Sequence, residues 1–179
     1  MRVALTSILM VMTATAVAQT PYAGMQARQI KALSEQQISD LDAGRGMGLA
    51  LAAELNGYPG PSHVLELADK LGLSPDQRNQ VQGLFDSMKA EAQPLGSKLI
   101  ALEADLDKLF VTRAIAPDSL KASTTAIALT QGELREAHLK YHLSTAAILT
   151  PTQMQRYAEL RGMAATSRCT GIGTDALGT

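Results

Sequence analysis

The pentapeptide Leu73-Ser74-Pro75-Asp76-Gln77 returns near the C-terminus as Leu149-Thr150-Pro151-Thr152-Gln153, and a weaker copy, Leu33-Ser34-Glu35-Gln36-Gln37, precedes both. Each copy dictates where a helix begins. Ser or Thr at the N-cap accepts an otherwise orphaned backbone N–H. Pro at the first helical position gives up no needed donor and presets φ. Gln three residues after the cap reaches back to close a capping box. Three helix starts are therefore set by local chemistry alone.

Turn residues mark out the rest. The spacing predicts a short helix from Ser34 to about Ala43, stopped by Gly44, and a second from Met47 to Leu55. The run Asn56-Gly57-Tyr58-Pro59-Gly60-Pro61 is dense in turn formers. Pro61 opens a helix expected to reach Leu71, with Gly72 as its C′ stop. The helix capped by Ser74 should run to about Thr112, kinked where Pro94 removes an interior hydrogen bond. Pro117 starts a long return helix to Leu149, and Thr150 caps a last one ending at Gly162. The Gly/Thr-rich tail beyond Ala164 reads as flexible.

The helix after Ser74 carries Val81, Phe85, Met88, Ala92, Leu95, Leu99, Leu102, Leu106 and Leu109, spaced alternately four and three, a heptad seam. The return helix repeats Ile127, Leu134, Tyr141 and Ile148 at sevens, with small Thr130, Ala137 and Ser144 between. A short connection makes these two helices antiparallel neighbours, each on the order of 50 Å long. The fold class is all-α: a long kinked hairpin with short flanking helices. Such a hairpin cannot fully bury its own seam; the short helix 61–71 and the last helix can cover one side, and a second chain is the expected cover for the rest, so a homodimer is anticipated.

The first residues pair Arg2 with an apolar run from Val3 to Met12 and the small-x-small triplet Ala16-Val17-Ala18, the pattern of an export signal cleaved after Ala18. The run is too short to span a membrane. The chain divides into residues 1–18 as signal, 19–60 as a short-helix region, 61–162 as the hairpin domain and 163–179 as the tail. Ala, Leu and Met carry the apolar content, with no Trp, two Phe and four Tyr, which favours helices over sheets. Sixteen Lys and Arg against seventeen Asp and Glu leave no basic stripe for a nucleic acid. One cysteine, Cys169, cannot build an internal disulfide framework.

Gly44-Arg45-Gly46-Met47-Gly48 lacks the Lys-Ser/Thr ending and the preceding strand of a phosphate loop. No nucleophile has a plausible base beside it, so an enzyme is not expected. The chemical pair is His138 and His142, spaced i, i+4 on one helix face within reach of one metal ion. His63 and Glu66 form an i, i+3 pair on the preceding helix, and antiparallel pairing brings Glu91 opposite. Together these five could hold Zn²⁺, Ni²⁺ or Co²⁺. The plainer alternative places His138 on a solvated polar stripe with Gln131 and Thr145. Met47, Met88, Met154 and Met163 read as core filler or as an adaptable binding surface.

The paired Leu-Ser/Thr-Pro-x-Gln motifs, the long hairpin and the export signal together resemble the Spy/CpxP family of bacterial periplasmic proteins, over roughly residues 61–162. The resemblance implies a bent helical hairpin that dimerises into a shallow cradle. It implies an ATP-independent periplasmic chaperone acting in envelope stress, whose partners are unfolded proteins or a stress-signalling protein. The alternative it implies is a heavy-metal sensor or resistance protein, because metal-sensing members carry a His-x3-His or His-x3-Met pair on the corresponding helix, where His138 and His142 stand. This chain departs in its mild acidity, which weakens electrostatic capture of clients, and in lacking His-rich tracts. A purely structural helical protein is the third alternative.

Overall fold

A computed structural model describes residues 22–163. The signal with its cleavage site after Ala18, and the tail with Cys169, lie outside the described residues. Within them the protein is all-helical. A 3₁₀ turn at Met25–Ala27 is followed by α1 (Glu35–Asp42), α2 (Leu51–Glu54), α3 (Pro61–Glu66), α4 (Ala68–Leu71), α5 (Pro75–Val111), α6 (Pro117–Ile148) and α7 (Pro151–Leu160). No helix among the described residues is long and apolar enough to cross a membrane.

All three predicted capping boxes form. Ser34, Ser74 and Thr150 accept from the backbone N–H of Gln37, Gln77 and Gln153, and each glutamine side chain returns to its cap. At α6 the box is half made: Ala116 has no side-chain acceptor, but Ser119 Oγ takes the Ala116 N–H at 2.9 Å. The two strong motifs also meet each other. Gln77 Nε2 donates to Gln153 Oε1 at 2.9 Å and to the Ile148 carbonyl at 3.0 Å. Gln153 Nε2 donates to Gln77 Oε1 at 3.0 Å and to the Gly72 carbonyl at 3.4 Å. Each amide oxygen caps its own helix while each NH₂ group reaches the other motif. Gln, with donor and acceptor on one planar group, can do both.

The hairpin is α5, 37 residues, against α6, 32 residues. α5 runs unbroken through Pro94, whose ring is exposed, on a stretch where the exposed Ala90 carbonyl can turn to water. Val81, Met88, Ala92 and Leu99 of the heptad row are buried, while Leu102, Leu106 and Leu109 are only half-buried towards the turn.

Three expectations need correction. The helix from Pro61 does not reach Leu71 in one piece: it breaks at Leu67 (φ −102°, ψ 9°), and nothing in the structure explains why the break falls there. The helix expected from Met47 shrinks to Leu51–Glu54, because Met47 and Gly48 turn at φ 44° and 89°. The third correction concerns the cover of the seam. α1 lies on it, so that Ile30, Leu33 and Leu41 share one core with Ala92, Leu99, Ile127 and Leu134. The segment from Ile30 to Leu49 thus contributes to the hairpin's own core. Gly96 makes the approach possible, since a Cβ there would overlap the Leu41 carbonyl. Lys31 pairs with Asp107 at 3.4 Å further along. A second core joins Val64, Leu71, Val81, Leu149 and Tyr157 at the motif end.

Candidate functional site

Between the two cores, halfway along the hairpin, the buried face turns polar. α6 presents Ala137, His138, His142 and Thr145 there. The expected solvated stripe is split: Gln131 is exposed, whereas His138 and His142 are only 3% and 6% exposed and Thr145 is sealed. Segment 44–60 does the sealing. Gly46 sits over the His138 ring at ordinary contact distance, whereas at Gly60 glycine again permits the approach, since a Cβ there would stand 2.7 Å from the His142 ring.

His142 Nδ1–H donates to the Tyr58 carbonyl at 2.7 Å, which fixes the tautomer of the neutral ring and leaves Nε2 as the lone-pair nitrogen. Its Nδ1 also lies 3.6 Å from Glu54. Glu54, 7% exposed, is the hub of this region. It accepts from the Tyr157 hydroxyl, from the Gly60 N–H at 3.2 Å, and faces the Arg161 guanidinium at 3.6 Å. A buried carboxylate is tolerable only when held in this way. Burial first, and the Glu54 carboxylate second, push the Tyr157 phenol far above its ordinary pKa, so it remains a donor.

His138 differs. Its Nε2 is buried with no hydrogen-bond partner among the described residues. Burial, and then the neighbouring His142, hold its pKa below the ordinary imidazole value, so the ring is neutral at neutral pH.

The structure brings four of the five predicted ligands to one cavity of about 500 Å³: His63, Glu66, His138 and His142 all line it. Glu91 does not. Its carboxylate is held by Lys140 at 2.5 Å and Tyr141 at 3.2 Å. His63 Nδ1 faces Glu66 at 3.2 Å on the half-exposed rim. Among the described residues no three His, Cys, Asp or Glu side chains are gathered to hold a metal ion. The donor types suit a transition metal, but they do not form a ready-made cage.

Sequence reasoning missed Glu54 and Tyr157, and it offers Lys89 and Arg161 only as members of local basic patches on the hairpin and the last helix, not as lining of this cavity. Glu54 had a signal: it is the lone charge in the run from Met47 to Leu55. Tyr157 had only the scarcity of aromatics in its favour. The fold and site define a class, an all-helical hairpin protein with a half-enclosed cavity, lined by apolar side chains and two buried histidines, under its own N-terminal segment. Comparison of the chain with family models, curated proteins and solved structures finds no match.

Proposed function

We propose that this protein is an exported, periplasmic envelope-stress protein of the Spy/CpxP type, an ATP-independent chaperone that shields unfolded clients. The observation that carries this reading is the apolar tip of the hairpin. Phe110 and Val111 at the end of α5 and Leu120 at the start of α6 are exposed beside the connecting turn, on helices anchored at the far end by the crossed glutamines. Exposed apolar clusters on an otherwise well-packed protein mark interaction surfaces. The engagement of the two motifs with each other also supports the family reading, because the repeat then has one structural purpose.

The test is suppression of aggregation. The chain from residue 19, at one to three equivalents, should keep a chemically denatured client soluble without ATP. The double change Phe110→Ser and Leu120→Ser should remove most of that effect while leaving helicity intact. No suppression at several-fold excess would discard the reading.

A second reading, transition-metal binding, is favoured by one observation: two imidazoles, a third on the rim and two carboxylates line the same cavity. His138 and His142 would be its central ligands, with His63 or Glu66 turning inward to complete them. Calorimetric titration with Zn²⁺, lost on the double change His138→Ala and His142→Ala, decides it.

A further inference from the structure

We infer that the cavity under segment 44–63 binds a small amphipathic carboxylate, a molecule with an apolar body and one anionic head. This site is separate from the apolar tip.

The size is right: about 500 Å³ falls within the range of roughly 300–1,000 Å³ typical of small-molecule sites. The walls supply an apolar bed, with Met47, Leu51, Phe85 and Met88 facing the space. Thioethers adapt to irregular alkyl or aryl shapes at little cost. The charges decide the sign of the ligand. Both lining carboxylates are already engaged, Glu54 by Tyr157, Gly60 and Arg161, and Glu66 by His63. Arg45 is held by Asp40 at 2.5 Å. Lys89 has no carboxylate partner among the described residues; its ammonium rests 5.8 Å from the centre of the Phe85 ring. Lys89 is therefore the one lining cation with no carboxylate held against it among the described residues.

The cavity also holds one unsatisfied polar side chain. His138 is 3% exposed, and its Nε2 is sealed with no hydrogen-bond partner among the described residues. A neutral imidazole carries one N–H, and a ring held this deep gains from an acceptor beside it. A carboxylate answers both needs at once, offering a counter-charge to Lys89 and an acceptor to the His138 ring. A cationic ligand would meet neither.

The rim shows a further sign. Met47 is a non-glycine residue at φ 44°, between Gly46 and Gly48 at the mouth of the cavity. Residues held in this sparsely populated region gather at ligand clamps.

Decanoate is the probe, with decanamide as its uncharged isostere, both below micelle-forming concentrations. Calorimetry should show saturable one-to-one binding of decanoate. Lys89→Met should weaken it about tenfold, the worth of one charge-assisted contact, and decanamide should bind the native chain about as weakly. The imidazole ¹⁵N resonances of His138 should shift on binding. Lys89 is half-buried at the edge of α5, so the variant should keep its helicity, which circular dichroism checks. Unchanged affinity in Lys89→Met, equal binding of decanamide, or absence of saturable binding would overturn the inference. Shifts confined to the Phe110 ring would do the same, by placing the ligand at the tip. The tip variant Phe110→Ser with Leu120→Ser should bind decanoate like the native chain, so this proposal and the chaperone reading fail separately.

Discussion

At the residue scale the most consequential side chain is His138. Its folded-state pKa is depressed by burial, while in the unfolded chain it returns to about 6.5. Between those two values the unfolded state binds more protons than the native state. Stability is therefore fully present above about pH 6.5 and is lost as pH falls through that value towards the lower folded-state pKa. Urea midpoints measured at pH 7.5 and pH 5 should differ more for the native chain than for His138→Leu. The leucine variant leaves no polar partner stranded, because Nε2 has none, and should be close to native in stability at pH 7.5. Equal pH slopes for the two chains would show that His138 is not the responsible group. Glu54 is the opposite case. It has four partners, and nothing short of replacing the whole cluster would leave those partners satisfied.

At the scale of elements, the crossed glutamines make the sharpest case. Gln153→Glu keeps the acceptor for the Thr150 N–H but loses the Nε2 donors to Gln77 Oε1 and the Gly72 carbonyl. It also sets a carboxylate against the Gln77 amide oxygen. Thermal denaturation should report a loss of roughly 1–3 kcal/mol, well beyond what an ordinary exposed Gln→Glu change gives. Two of the helix glycines, Gly96 and Gly132, offer a matched pair. A Cβ at Gly96 collides with the Leu41 carbonyl, so Gly96→Ala must push α1 off α5 and should cost roughly 1–3 kcal/mol. A Cβ at Gly132, in the middle of α6, meets nothing, so Gly132→Ala should stabilise by about 0.5–1 kcal/mol. If both changes have the same sign, the close packing of α1 on α5 is wrong.

On the scale of the whole molecule, the cover supplied by α1 changes what a partner subunit has to do. The seam that called for a second chain is largely occupied from within. What remains open is the tip and the outer face of α6, where Leu129 and Leu143 are 64% and 59% exposed and fourteen residues apart. Four helical turns separate them, which puts them on one side of the helix. The homodimer anticipated from the sequence should use this face. Sedimentation velocity at tens of micromolar should show a dimer for the native chain and a monomer for Leu129→Asp with Leu143→Asp. A native chain that sediments only as monomer would overturn that expectation.

The sequence by itself determined what short-range chemistry can settle. Ser34, Ser74 and Thr150 start their helices where the caps require, Gly72 and Gly162 follow their helices at positive φ, and Val81, Met88, Ala92 and Leu99 of the seam are buried as its period demands. These outcomes rest on residues within one or two turns of each other, so a linear reading contains them. The tertiary structure alone decided that residues 22–60 close over the hairpin. The contact depends on Gly60 and Gly96 lacking a Cβ at two separate crossings, which no local pattern announces. The same closure turned a polar helix face into a buried one, stranded the His138 ring, and brought Glu54 to Tyr157 across more than a hundred residues. Whether a polar side chain is solvated or buried depends on what the rest of the chain lays over it, and helical periodicity describes only the helix.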